Sequence, residues 1–191
     1  AARVYAAFEA AHDAAFPAYM AELRALADGA QVPFDAVLVK NLSEEFGDAY
    51  ARYGGAAGAA APRRADHCSD YLLWPAGRAP LVAHNEDSGE DDLGATVLVN
   101  ATVGGAAFVA YTYAGDLPSR AFGWNARARV AFTLNYVHPE ATPDPLDLAA
   151  SGGGLIGRGF VSRDLLAATS LDDARARATR ADLASGHNTQ L

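Results

Sequence analysis

The sequence contains a single cysteine, Cys68, among its 191 residues. One thiol cannot form an intrachain disulfide, and the count excludes a four-cysteine zinc site. Glycine, proline or charged residues interrupt every apolar run well short of the ~20 residues that a membrane-spanning helix needs. No basic segment followed by an apolar one opens the chain, as it would in a secretory signal peptide. We therefore expect a soluble, cytoplasmic protein without a membrane partner.

Basic residues are also scarce, since 15 Lys and Arg against 23 Asp and Glu give a formal net charge of -8. The arginines are scattered rather than gathered into a stripe, which argues against a nucleic-acid partner. Hydrophobic residues make up 51% of the chain, enough for one domain with a substantial core. The composition predicts an ordinary globular domain.

The N-terminal part of the chain predicts helices. Apolar residues recur at intervals of three and four through residues 1–28, where Pro17 is expected to divide two helices and Gly29 to end the second. A further short helix is predicted after Pro33. The segment 54–64, GGAAGAAAPRR, predicts a surface linker.

Short β-rich runs follow the linker, namely CSDYLLW, PLVAHNED, ATVLVNATV, AAFVAYTYA and RVAFTLNYV. Their spacing predicts consecutive antiparallel strands. After a proline-rich crossover, FVSRDLLAAT and SLDDARARATRA predict two helices, the second with Ser170 as N-cap and Asp173 three residues later. This order predicts an α+β layered domain, with 1–67 as a helical appendage and 68–191 as the main body.

The lone cysteine has two interpretations. A free cysteine is usually a small buried hydrophobe. Cys68, however, follows the linker and the polar pair Asp66 and His67, and it opens a strand, where a thiol is accessible. A nucleophilic thiol needs a proton acceptor, usually a histidine, and oxyanion donors. If the chain is cut between His67 and Cys68, the new α-amine, with a pKa near ~8, can accept the proton instead.

Polar residues near the ends of β runs supply the other parts of such a site. Asn85 and Asp87 follow one run, and the carboxylate of Asp87 is suited to hold a new ammonium group. Asn135 and Asn188 offer side-chain amide donors, and one such donor aimed at an oxyanion contributes roughly 3 to 4 kcal/mol. Asn125 lies at a turn, where asparagine usually shapes the backbone.

Two alternatives remain. One is a metal site built from His67, Cys68, His84 and Asp87, but no pair among them has standard zinc spacing. We therefore predict neither a metal nor a cofactor. The other is a non-catalytic scaffold or binding domain in which Cys68 is a buried structural residue.

The motifs together resemble those of the acyl-coenzyme A:6-aminopenicillanic acid acyltransferase family. This peptidase C45-like branch of the N-terminal nucleophile (Ntn) hydrolases includes β-alanyl-amine hydrolases. FPAYMAELRALADGAQVPFDAVLVKNL is similar to the family's propeptide helices, HCSD to its cleavage site and nucleophile, and AHNED to its G-x-N-x-D strand end. GWNARA resembles the G-x-N-x-x-G turn, TLN the oxyanion asparagine, and RDLLAATSLDDA the helix pair before a final asparagine strand.

The resemblance implies a four-layer αββα sandwich with Cys68 as nucleophile and, after cleavage behind His67, as the new N-terminus. Asp87 would hold its α-amine, Asn135 would be an oxyanion donor, and Asn188 a second donor or a substrate-orienting amide. Supporting or substrate-binding roles are implied for His84, Asn85 and Asn125.

The implied activity is that of an autoprocessed cysteine amidohydrolase or acyltransferase, which cleaves or transfers an acyl group through a thioester. Its partners would be a small-molecule amide or acyl donor and the propeptide 1–67, retained with the mature chain. The family continues into further strands, so we expect the chain to be C-terminally incomplete at Leu191.

One departure from the family's motifs and one compositional feature carry predictions. Ala128 and Arg129 replace a glycine and an apolar residue in the turn, which predicts a strained backbone there. The acidic segment NEDSGEDD lies beside the predicted site. It is either a solvated hairpin or a feature that favours acylated cationic amines over the polyanionic coenzyme A.

Overall fold

The computed structural model of the protein describes residues 2–52, 68–137 and 144–191. The helices in these ranges are α1 (Ala2–Ala15), α2 (Pro17–Ala30), α3 (Phe34–Asn41), α4 (Ser43–Arg52), α5 (Pro145–Ala150), α6 (Arg158–Leu165) and α7 (Leu171–Ala178). The strands are β1 (Ser69–Leu73), β2 (Leu81–Asn85), β3 (Thr96–Val103), β4 (Ala106–Tyr113), β5 (Phe122–Asn125), β6 (Val130–Val137) and β7 (Gly186–Gln190). The predicted linker, His67 and His138 lie outside the described residues.

The N-terminal helices follow the predicted division at Pro17, which begins α2 at a position where its missing N–H costs no hydrogen bond. The predicted end at Gly29 is wrong. The helix continues to Ala30, and the left-handed backbone of Gln31, with φ of 56°, ends it. After Pro33 the chain forms two helices, α3 and α4, rather than one.

An apolar core joins α1–α4 to the region around α6. Its fully buried members include Phe8, Met20, Leu23, Leu38, Leu42 and Phe160. His12 completes this contact, since its Nδ1 lies 2.7 Å from the Phe8 carbonyl oxygen and its Nε2 accepts from the Gly157 N–H at 3.0 Å. Burial lowers the pKa of His12 to about 4, so the ring is neutral. The core therefore crosses the predicted boundary between 1–67 and 68–191.

The strands form two antiparallel sheets, as the sequence predicted. β1 and β2 make a two-stranded ribbon, and the other five strands form a sheet in the order β3-β4-β5-β6-β7. Two predictions along this part were wrong. β5 lies inside GDLPSRAFGWNAR, which the sequence predicted only as a longer connection between strands, and α5 lies inside the proline-rich crossover, where Asp144 caps the helix by accepting from the Leu146 N–H. Ser170 caps α7 as predicted, by accepting from the Asp173 N–H.

The two faces of the five-stranded sheet have different neighbours. One face packs on α6 and α7, with Phe108 and Phe132 against Leu165 and Leu166. The ribbon lies on the opposite face, where the rings of His84 and Phe122 are 6.2 Å apart. These layers confirm the α+β class. Among the described residues, no helix combines the length and the apolar character that crossing a bilayer requires.

Candidate functional site

Cys68 immediately precedes β1 and is partly exposed. It opens into a cleft of about 350 Å³ that α3, α4, α6, the ribbon and the five-stranded sheet all help to line. The charged and aromatic lining residues are Lys40, Glu44, Glu86, Asp87, Asp92, Tyr113, Asp116, Arg120, Tyr136 and Arg158.

The pairing of β1 with β2 determines what surrounds the thiol. Asp70 lies directly opposite His84, and the same register continued by two residues sets Cys68 opposite Glu86. Because alternate residues of a strand point to the same face, these four side chains share one face of the ribbon. That face is turned toward the five-stranded sheet, where Asp70 contacts Asn135 of β6.

The four side chains form a continuous hydrogen-bonded chain. The Cys68 thiol donates to Glu86 Oε2, with Sγ and Oε2 3.1 Å apart. His84 bridges the carboxylates, since its Nε2 lies 2.7 Å from Glu86 Oε2 and its Nδ1 lies 2.8 Å from Asp70 Oδ1. The Tyr113 hydroxyl donates to the other oxygen of Glu86 at 2.5 Å. We call Cys68, Asp70, His84 and Glu86 the thiol cluster.

His84 carries the positive charge of the thiol cluster. Its side chain is 2% exposed. Burial disfavours the imidazolium, but hydrogen bonds with Cys68, Glu86 and Asp70 outweigh it and raise the pKa of His84 to about 10. Burial likewise favours the neutral acid at Glu86, yet hydrogen bonds from His84, Tyr113 and Cys68 prevail and lower the pKa of that carboxyl. At neutral pH an imidazolium therefore lies between two carboxylates, next to the thiol.

The two asparagines predicted as amide donors lie side by side. Asn135 donates to Asp70 Oδ2 at 2.5 Å and so joins the thiol cluster through that carboxylate. Asn188 is the cross-strand partner of Asn135 in the β6–β7 pairing. Directly paired residues share a face of a sheet, so both amides face the ribbon side. The side-chain oxygen of Asn188 accepts from Gln190 at 3.2 Å.

Asn85 and Asp87 lie outside the hydrogen-bonded chain, and of the two only Asp87 lines the cleft. Both are exposed, and Asn85 donates to Asp87 Oδ1 at 3.1 Å. Asp87 lines the cleft together with Cys68.

Asn125 is remote from the thiol cluster, because it points to the helix side of the sheet. It is fully buried and donates to the Leu166 and Ala168 carbonyl oxygens at 3.0 and 2.7 Å, while its own oxygen accepts from the Ala128 N–H. Arg129, in the turn where the resemblance predicted strain, has a left-handed backbone with φ of 54°. Asn125 thus fixes the turn into β6 to the end of α6.

The opposite wall of the cleft carries paired charges. Glu44 accepts from Arg120 at 2.5 Å and also from Arg158. Burial opposes its ionisation, but the two guanidinium groups lower the pKa of Glu44 to about 2. Arg120 also lies 3.4 Å from Asp116, and Lys40 lies 3.8 Å from the same carboxylate. Both arginines are thus occupied by carboxylates.

Sequence reasoning gave no role at the thiol to Asp70, Glu86 or Tyr113, and it placed Glu86 only in the acidic segment beside the site. The first two had a usable signal, since C-x-D and H-x-E alternate at the two ends of one predicted hairpin. Two such patterns on paired strands converge on one face when the register aligns them. Tyr113 gave no comparable signal, because an aromatic residue at a strand end is usually part of the core.

Comparison with known proteins adds no assignment to this geometry. No protein-family model matches the chain, and no curated protein matches it either. The resemblance to the Ntn hydrolases therefore rests on the sequence motifs alone.

Proposed function

We propose that the protein is an autoprocessed cysteine amidohydrolase or acyltransferase of the Ntn type, with Cys68 as nucleophile. The observation that carries the proposal is the position of the Cys68 thiol. It opens into a cleft and donates to a carboxylate that also contacts an imidazolium. A nucleophile needs a nearby proton acceptor and compensation for its negative charge.

The first reaction would be self-cleavage between His67 and Cys68. Glu86 takes the thiol proton, and the sulfur attacks the His67 carbonyl carbon. The bond from that carbon to the Cys68 nitrogen breaks, the nitrogen takes up a proton, and a thioester remains. Water then hydrolyses the thioester, which frees the thiol and leaves a carboxylate at His67. The His84 imidazolium offsets negative charge while the sulfur is a thiolate.

The mature enzyme would repeat this chemistry on a small amide or thioester. The new α-amine of Cys68 becomes the proton acceptor, and Asp87 at the same cleft holds it in its charged form. Asn135 carries two amide hydrogens and uses one on Asp70, so the second is available to an oxyanion. Water or an amine then resolves the acyl-enzyme, which decides between hydrolysis and transfer.

The charge of the cleft favours a cationic substrate. Five acidic and three basic side chains line it, and two of the three basic ones, Arg120 and Arg158, are paired with Glu44. Glu86, Asp87 and Asp92, from the acidic segment after β2, lie on the thiol side. An excess of negative charge attracts cations and repels coenzyme A. We therefore favour hydrolysis of acylated amines that carry a positive charge.

Retention of the cleaved segment would follow from its packing. Leu38 and Leu42 belong to the same core as Phe160, and Lys40 and Glu44 line the cleft. Removal of residues 1–67 would expose this core to water and open one wall of the cleft. The small chain should remain bound under native conditions and separate in denaturant.

Intact mass of the purified chain tests self-cleavage directly. The wild type should yield two chains that part between His67 and Cys68, and Cys68→Ala should stay uncut. Glu86→Gln should slow cleavage by roughly a hundredfold, since it removes the proton acceptor. Ser69→Ala, one residue beyond the thiol on the exposed face of β1, is the matched control and should cleave like the wild type. A folded wild type that stays uncut would refute the mechanism and favour the scaffold alternative.

Salt dependence tests the substrate class. For a cationic amide, kcat/KM should fall as ionic strength rises, because salt screens the attraction. Asp92→Asn should weaken that dependence, whereas Asp172→Asn, on the exposed surface of α7, should leave it unchanged. A profile that does not vary with salt would remove the charge argument while leaving self-cleavage untouched.

A further inference from the structure

The thiol cluster also contains the ligand atoms of a metal site. Cys68, His84 and Glu86 offer one sulfur, one nitrogen and one oxygen that all lie within 4.8 Å of one another. Thiolate sulfur, imidazole nitrogen and carboxylate oxygen are the three donor types that zinc takes in proteins. We propose that Cys68, His84 and Glu86 bind a single zinc ion at the thiol side of the cleft.

The backbone brings these ligands together without relying on a long loop. His84 and Glu86 are two residues apart at the end of β2, which gives them the same face. Cys68 lies opposite Glu86 when the β1–β2 register is continued by one residue beyond the pair Ser69 and Asn85. Ligands on two paired strands are held more firmly than ligands on a flexible loop. Standard zinc spacings describe loops and helices, so this arrangement is not visible in the spacing alone.

Outer partners already orient two of the three ligands. Asp70 Oδ1 lies 2.8 Å from His84 Nδ1, which leaves Nε2 directed at the sulfur and the Glu86 carboxylate. Tyr113 donates to Glu86 Oε1 at 2.5 Å, which leaves Oε2 for a metal. Asn135 in turn holds the second oxygen of Asp70. A carboxylate behind the histidine and a hydrogen bond behind the carboxylate are usual supports of a metal ligand.

The ligand atoms need to separate only slightly to admit the ion. Bond lengths of about 2.0 Å to nitrogen and oxygen and about 2.3 Å to sulfur, at tetrahedral angles, put nitrogen and oxygen ~3.3 Å apart and sulfur and oxygen ~3.5 Å apart. The present distances are 2.7 Å and 3.1 Å. The first must therefore lengthen by about 0.6 Å and the second by about 0.4 Å. The cleft supplies a path for entry and room for water as the fourth ligand.

Zinc binding would replace the hydrogen bonds among the three ligands. The Cys68 thiol and the His84 imidazolium each release one proton to solvent, so that the sulfur binds as thiolate and His84 binds as neutral imidazole through Nε2. This site goes beyond the proposed function. A sulfur bound to zinc cannot attack a carbonyl carbon. If Cys68 is the nucleophile of the proposed enzyme, zinc would therefore reversibly block both self-cleavage and turnover, and this consequence alone rests on the proposed function.

Cobalt(II) titration of the full chain, followed by absorbance, tests the site with the metal alone. We expect one ion per chain, a near-ultraviolet thiolate-to-cobalt charge-transfer band, and displacement of cobalt by one equivalent of zinc. Cys68→Ala should abolish the band. Asp70→Asn, which acts only through His84, should weaken binding by about 10- to 100-fold.

Two carboxyl-to-amide variants distinguish specific coordination by the three ligands from nonspecific cation binding by the acidic segment. Glu86→Gln should weaken cobalt binding strongly, whereas Glu90→Gln, four residues along the same segment, should not change it. Circular dichroism establishes that each variant is folded. Absence of the charge-transfer band in the folded wild type, or equal effects of the two variants, would overturn the proposal. Because bound metal would itself block cleavage, self-cleavage is measured on metal-free protein and cobalt binding on the same preparation. A chain that binds cobalt but stays uncut when metal-free would refute only the enzyme mechanism, and a chain that cuts without binding cobalt would refute only the metal site.

Discussion

The charge of His84 yields the sharpest prediction. We expect His84→Gln to destabilise the protein near neutral pH, because it leaves Asp70 and Glu86 without the cation that lies 2.7 to 2.8 Å from each. The variant should be made in a Cys68→Ala background, so that self-cleavage cannot divide the population. That background keeps both carboxylates that hold the imidazolium but removes the hydrogen bond with Cys68, so the pKa of His84 should be lower there than in the wild type.

The size of the effect follows from the pKa of His84. Burial lowers that pKa, but hydrogen bonds with Cys68, Glu86 and Asp70 raise it from 6.5 to about 10. Such a group contributes stability that is complete below its unfolded pKa and is lost as the pH rises through its folded pKa. Without screening, the difference corresponds to about 4 kcal/mol at pH 7, and water in the cleft should reduce it to roughly 1 to 2 kcal/mol.

Urea denaturation at several pH values measures this contribution. The free energy of unfolding of the variant should lie below that of its parent at pH 7, and the gap should narrow as the pH rises toward about 10. His187→Gln is the matched control. Burial lowers the pKa of His187. The difference in the free energy of unfolding between His187→Gln and its parent should therefore not narrow between pH 7 and about 10. Proton NMR gives an independent value, and a His84 ring that titrates near 6.5 or below would refute the reasoning.

Four further variants test what stabilises the fold around the site, each by urea or thermal denaturation. Asn125→Ala should cost about 2 to 4 kcal/mol, since it strips buried main-chain oxygens at the end of α6 of their donor; a loss below about 1 kcal/mol would contradict this role. Gly154→Ala should destabilise by more than about 2 kcal/mol, because its Cβ would lie 1.9 Å from the Asp182 carbonyl carbon, whereas Gly29→Ala meets no atom within 4 Å and should stabilise by up to about 1 kcal/mol. If Gly29→Ala destabilised the protein more than Gly154→Ala, the close contact of Gly154 with Asp182 would be refuted. Ser170→Ala should lose about 1 kcal/mol with its cap, and no change would mean that the Asp173 N–H finds another acceptor.

Most of the fold could be predicted from local pattern. Short β-rich runs bounded by turn residues identified five of the strands, β1 to β4 and β6, and Pro17 marked the division of α1 from α2. The final strand, β7, was implied only by the family resemblance. β5 was missed because it has only four residues and lies among the glycine and proline of a longer connection. α5 was missed because its proline suggested a crossover, although Asp144 before Pro145 is a good helix start.

The site was less predictable than the fold, because its parts come from separate elements. Cys68 and His84 could be named from their residue types. That His84 contacts Cys68 depends on the register of a hairpin, which the sequence does not specify by itself. Strand register also explains why Asn125 and Asn135 have different roles. They lie on neighbouring strands but on opposite faces of the sheet, so one fixes a turn and the other reaches Asp70.

The thiol cluster is an inefficient way to stabilise the contact between the ribbon and the sheet, which favours the proposed catalytic role of Cys68. Two carboxylates and an imidazolium cost desolvation free energy when they are buried between layers, and well-packed apolar side chains at the same positions often stabilise a protein as well or better. The inward face of the ribbon carries the charges of Asp70 and His84 beside the apolar Leu72 and Val82. Charged groups on the buried face depart from the usual arrangement of a two-stranded ribbon on a core. A structural role alone does not account for these buried charges. A partly exposed thiol that needs a proton acceptor and a compensating cation does.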